Sequence, residues 1–170
     1  MASLMEELID LFEQEIDLYG KLVEVSTKKT AIIVRGDVKA LEQCTEEEQE
    51  IATDVKNLDN RRVAKTLEMA KVINKKPEEM TLLNLIGYLK GRPEDQERLE
   101  DIRVRLRAVL DDMKVVNDRN AMLLKQAMDL VEFDLMLYKS MRQAPETANY
   151  DKRAYSTGTL LGSGGFDAKQ

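Results

Sequence analysis

Apolar positions between Leu99 and Met141 recur on a seven-residue beat, in alternate steps of three and four, without a break. The series runs Leu99, Ile102, Leu106, Val109, Met113, Val116, Asn120, Leu123, Ala127, Leu130, Asp134, Leu137 and Met141. Only Asn120 and Asp134 are polar, and the span holds no Gly and no Pro, so the pattern predicts one uninterrupted helix with a heptad seam. At about 1.5 Å rise per residue such a helix is about 63 Å long, whereas a compact ball of this many residues is about 40 Å across. An elongated bundle is expected, with side surfaces for binding and little room for a catalytic cleft.

The rest of the chain supplies partners for that helix. Ser3 and Glu6 have the spacing of a capping box at the start of a first helix. Leu4, Leu8, Leu11, Leu18, Leu22 and Val25 form one stripe on it. Met5, Ile9, Phe12, Ile16, Tyr19 and Val23 form a second stripe one position over. Together they make a face wide enough for two neighbours. Gly36 suits the left-handed position that ends a helix, and Asp37 suits the next N-cap, so Arg35-Gly36-Asp37 reads as a turn. A second helix is predicted from Val38 to about Asn74, with a thinner stripe at Leu41, Ile51, Val55, Leu58, Leu67 and Ile73. Polar Thr45, Glu48 and Arg62 interrupt it, and the run Glu46-Glu47-Glu48 reads as a solvated face. Thr81 is placed to cap a short helix, whose Leu82, Leu83, Leu85, Ile86 and Leu89 would plug the end of the bundle. Gly91 and Pro93 then break the chain before the long helix begins near Glu94.

After Met141 the period is lost. Pro145 follows, and half of the eight glycines fall between positions 158 and 165. The expected organisation is therefore all-α: an elongated antiparallel bundle of three long helices plus one short helix over residues 1–143, with a flexible tail over 144–170. Tyr150, Tyr155, Leu160, Leu161 and Phe166 give that tail enough apolar character for a docking motif.

The two halves of the long helix differ outside the seam. Glu100, Asp101, Arg103, Arg105, Arg107, Asp111, Asp112 and Lys114 dominate the first half, which has one packed face and one wet face. The second half carries Met122, Leu124, Met128, Val131, Phe133, Leu135, Met136 and Tyr138 off the seam. A helix apolar nearly all round is either wholly buried or binds a partner. Lys125, Asp129, Glu132 and Asp134 argue against full burial. Four of the nine Met residues lie here, and Met is over-used where one surface must accept irregular partners. Drift of a straight helix against a heptad seam accounts for part of the broadening. The remainder favours a groove for a partner helix, and Met122, Leu124, Met128, Val131, Leu135, Met136 and Tyr138 are its candidate contacts. Asn120, on the seam, reads as a polar residue that sets register, while for Asn117 a structural and a binding role both stand.

Charge and composition narrow the function. The net charge of -6 argues against a nucleic-acid partner. There is no histidine, which removes the commonest general base and metal ligand, so no enzyme, metal or cofactor is expected. Uninterrupted apolar runs are far shorter than the roughly 20 residues that span a bilayer, and Met1 to Glu7 lacks a signal-peptide pattern. A cytoplasmic location without stable membrane insertion is expected.

Several segments resemble one family in order and spacing. Leu8-Ile9-Asp10-Leu11-Phe12-Glu13-Gln14-Glu15, then Gly36-Asp37-Val38-Lys39-Ala40-Leu41 leading to Glu46-Glu47-Glu48-Gln49-Glu50, is similar to the first hairpin of FlgN-type flagellar export chaperones. Thr81-Leu82-Leu83-Asn84-Leu85-Ile86 resembles the family's short middle helix. Asn117-Asp118-Arg119-Asn120-Ala121-Met122-Leu123-Leu124 resembles its last helix, and Tyr150-Asp151 its tail. The resemblance implies a cytoplasmic helical chaperone that holds the C-terminal segment of flagellar hook-associated (hook-filament junction) proteins and helps deliver them to the type III export apparatus. It makes Tyr150, with Tyr155 close by, the candidate contact for the export gate. The second reading is a structural coiled-coil protein that self-associates, as a homodimer, through the second half of its last helix.

Overall fold

Helix boundaries fall where local chemistry satisfies the end groups of the backbone. A computed structural model describes the backbone of residues 3–161 and the side chains of residues 3–143. Helix α1 spans Leu4–Arg35. The Ser3 hydroxyl accepts from the Glu6 amide at 3.2 Å, and the Glu6 carboxylate accepts from the Ser3 amide at 2.8 Å, which completes the capping box. Gly36, with φ 68°, ends the helix in the left-handed conformation. Asp37 then caps helix α2, Val38–Val72, by accepting from the Ala40 amide at 3.0 Å. Helix α2 stops slightly earlier than its stripe suggests. Asn74 adopts φ 53°, and the Lys75 amide donates to the Ala70 carbonyl at 2.9 Å, a left-handed ending built on Asn rather than Gly.

A single 3-10 turn at Pro77–Glu79 leads to helix α3, Leu82–Tyr88, where the Thr81 hydroxyl accepts from the Asn84 amide. Helix α4, Pro93–Leu161, opens on a proline, whose missing N–H is spare at that position. Its backbone continues past Pro145. The tail expected over 144–170 thus falls on residues whose side chains, and beyond Leu161 whose backbone, lie outside the described residues. The described residues form four helices and no strand.

The chain divides into two compact units, Met1–Leu124 and Lys125–Gln170. The expected boundary between 143 and 144 lies within the second. In the first unit, α2 folds back antiparallel on α1, and α4 runs in the direction of α1. Three cross-links give the register: Glu13 meets Arg105, Ser26 meets Asn120, and Thr30 meets Asn120. The offsets between partners, 92, 94 and 90 residues, are nearly constant, so the two helices keep step.

The core lies at the end of this unit where α1 begins. Met5, Leu8, Ile9 and Phe12 of α1 pack with Met69 of α2, Leu85 and Ile86 of α3, and Leu99 and Ile102 of α4. Leu8, Ile9, Leu99 and Ile102 are fully covered, each removing from water an area that stabilises the fold by about 1.5–3 kcal/mol. Both stripes of α1 are used in its first three turns, and α3 does plug the end of the bundle.

Candidate functional site

The seam of α4 changes character along its length. Leu99 and Ile102 are buried; Leu106, Val109, Met113 and Val116 are half-buried; Asn120 is buried again. Leu123 and Ala127 are half-covered, and from Met128 to Gln143 every residue is exposed. Leu130, Leu137 and Met141, which the heptad places on a packed seam, therefore face water. The α1–α2 hairpin turns back at Gly36, and with the register above it is used up about where α4 leaves the first unit. A heptad shows that a helix has a seam and not how far along it a neighbour extends.

The candidate contacts fall on this exposed stretch. Met122, Met128, Val131, Leu135, Met136 and Tyr138 are exposed, up to 67% at Met136, while Leu124 is half-buried. Leu130, Phe133, Leu137 and Met141 are exposed as well, on the other side of the same helix. Arg142 lies over the Tyr138 ring at 5.6 Å, one turn away on the helix. The side chains of Tyr150 and Tyr155 lie outside the described residues.

In the first unit, polar layers tie the helices together. Asn120, 5% exposed, donates from Nδ2 to the Ser26 carbonyl at 2.8 Å and accepts at Oδ1 from the Thr30 hydroxyl at 2.6 Å. Ser26 in turn donates its hydroxyl to Glu48 at 2.7 Å, and Glu48 also pairs with Lys29 at 2.6 Å. One connected group thus links α1, α2 and α4 at a single level. Asn117 is exposed. Glu48 is half-buried and doubly bonded, which corrects the reading of Glu46-Glu47-Glu48 as a wholly solvated face.

A second layer lies nearer the core. Glu15, only 4% exposed, accepts from Arg62 Nε at 2.8 Å, and Arg62 also pairs with Asp59 and lies over the Phe12 ring. Burial pushes the Glu15 carboxyl above its ordinary range, and the Arg62 hydrogen bond and charge only partly oppose this. For Arg62, burial works against the charge, but the bond and charge of Glu15, with Asp59, more than restore it. The neighbouring Tyr19 phenol is raised by burial and by the same two carboxylates. These groups border a cleft of about 270 Å³ with Leu8, Leu85 and Leu106. At the surface, Arg105 grips Glu13 through both terminal nitrogens, at 2.8 and 2.5 Å, and Asp101 through Nε at 2.7 Å. These contacts hold its guanidinium firmly charged.

Reactive chemistry is scarce in this arrangement. The Cys44 thiol is buried, and burial raises it further from the nucleophilic thiolate. Among the described residues no group of three His, Cys, Asp or Glu side chains could hold a metal ion, and no helix is long and apolar enough to cross a membrane. What the residues do present is an apolar helix surface on a charged scaffold.

Exposed apolar surface of this extent on a last helix is a common mark of surfaces that bind other chains. The family model described as FlgN protein matches residues 1–157, and the chain belongs to the FlgN family. That family comprises flagellar export chaperones. No curated protein and no solved structure matches the chain.

Proposed function

We propose that this protein is a cytoplasmic export chaperone that binds the C-terminal segment of flagellar hook-associated proteins and helps hand them to the type III export apparatus. The observation that carries this reading is the run of exposed apolar side chains after Ala127, in a chain that belongs to the FlgN family. An amphipathic substrate helix lays its apolar face on Met122, Leu124, Met128, Val131, Leu135, Met136 and Tyr138. Met side chains re-pack around different substrates at little cost in strain. Asn120 keeps α4 in register with α1, and Asn117, at the surface, is free to bond a substrate backbone. Tyr150 and Tyr155 are the contacts offered to the export gate. The work is done by binding alone, without a catalytic residue or cofactor.

Calorimetric titration of the full chain with a peptide from the C-terminal end of a hook-associated protein tests this directly. Saturable binding is expected. Met128→Asp or Leu135→Asp should weaken it at least about tenfold, or about 1.4 kcal/mol, because a carboxylate is then desolvated against an apolar face. Both side chains are exposed, so the urea midpoint of the bundle should not move. Absence of binding to every such peptide would overturn the proposal.

A further inference from the structure

Four of the exposed residues of α4 form a second heptad stripe, distinct from the seam that starts at Leu99. Met128, Val131, Leu135 and Tyr138 follow one another at steps of three, four and three, and each is more than half exposed. No polar residue interrupts them, whereas the first seam carries Asp134 at the same level. In heptad terms Met128 and Leu135 are a positions, and Val131 and Tyr138 are d positions. Glu132 and Lys139 then fall at e, and Ala127, Asp134 and Met141 at g.

We propose that a second copy of this chain packs on this stripe, parallel and in register, as a short coiled coil formed by the protein when it holds no substrate. The flanking charges select the occupant and its direction. In a parallel pair each g residue faces the e residue of the next heptad on the other copy. Asp134 then meets the partner's Lys139, twice by symmetry, and Ala127 meets the partner's Glu132, so no like charges face each other. Full antiparallel overlap instead sets Glu132 against Glu132 and Asp134 against Asp134, which is repulsive. The stripe covers about two heptads, fewer than the three or four that sustain a coiled coil. The association is therefore weak and concentration-dependent, and an amphipathic helix with a better apolar face displaces it. Self-association and substrate binding use one surface and exclude each other, yet the first does not rest on the second.

Sedimentation equilibrium of the full chain over a wide concentration range tests the association. A reversible monomer–dimer equilibrium is expected, abolished by Val131→Asp with the helix content unchanged. Asp134→Lys and Lys139→Asp should each weaken it severalfold, and the two together should restore it, because the pair is rebuilt with its signs exchanged. Direction is read from Met128→Cys: mild oxidation should join two copies, since Met128 meets its own counterpart only in the parallel register, and buried Cys44 leaves the parent chain as control. A monomer at every concentration, a charge exchange that restores nothing, or a Met128→Cys variant that does not cross-link would each overturn the proposal. Peptide titration is scored separately. A monomer that binds peptide removes self-pairing alone, and an associating chain that binds none removes the chaperone reading alone.

Discussion

Asn120 bonds two residues of α1 at once, and this makes it costly to replace. Asn120→Ala removes two short hydrogen bonds from a covered layer and leaves the Thr30 hydroxyl only its longer bond to the Ser26 carbonyl, at 3.4 Å; the loss should be about 1–3 kcal/mol, seen as a lower urea midpoint at unchanged slope. A midpoint within error of the parent would mean that water satisfies the layer and that its contribution to register is small. Glu15 makes a prediction of the opposite kind. Its folded-state pKa lies above the unfolded value of about 4.5 because burial disfavours the carboxylate. The folded state therefore holds the proton more tightly, and the ionised group penalises folding at neutral pH. As pH falls through the folded pKa towards 4.5 the penalty is relieved, and below the unfolded value nothing further is gained. Glu15→Gln keeps an acceptor for Arg62 and carries no charge to desolvate. Relative to this variant, the parent should gain stability between pH 7 and pH 4.5, measured from paired unfolding curves. A constant difference across that range would show that Arg62 fully offsets the burial.

At the scale of the element, the helix ends were the most legible part of the sequence, because each is set within a few residues. Ser3 with Glu6, Gly36 with Asp37, and Thr81 all cap as their spacing suggests. Ser3→Ala should cost about 1 kcal/mol through the lost cap. Gly36→Ala should cost about 1–2 kcal/mol by a different route. Nothing lies within 4 Å of an added Cβ there, so the cost is that of φ 68° on an L side chain. Gly36→Asn should then cost less than Gly36→Ala, and equal losses would point to a crowding effect instead. The seam of α2 was harder to read, and the reason is physical. Glu48 and Arg62 look like interruptions of an apolar stripe, yet both lie on the packed side and are matched by Ser26 and Lys29 or by Glu15. Their partners stand 19 to 47 residues away in the chain, and no local period reveals such a pairing. Met69 lies off the stripe of α2 for a related reason: it is buried in the core shared with α1, α3 and α4, a tertiary neighbourhood that the stripe of α2 alone does not encode.

Taken as a whole molecule, the chain combines a net charge of -6 and 34% charged residues with a stretch in which Leu130, Val131, Phe133, Leu135, Met136, Leu137 and Tyr138 all face water. Monomeric proteins rarely leave contiguous apolar surface of this kind uncovered. That the second half of α4 is apolar on more than one face could be read from the sequence. That its seam would be exposed could not, because the length of the α1–α2 hairpin relative to α4 is set by register between distant residues. The charge and the apolar surface predict different binding behaviour, and this separates two ways of holding a substrate. If the scaffold's acidic charge captured a basic segment, affinity would fall steeply with salt, since exposed charges are screened beyond about 8 Å at physiological ionic strength. If the exposed face of α4 captures an apolar helix, affinity should change less than about threefold between 50 mM and 500 mM salt, and the heat capacity change of binding should be clearly negative. Titration of one hook-associated peptide at two salt concentrations and three temperatures distinguishes them. A steep salt dependence with a heat capacity change near zero would move the binding site away from Met128–Tyr138 and onto the charged faces of the scaffold.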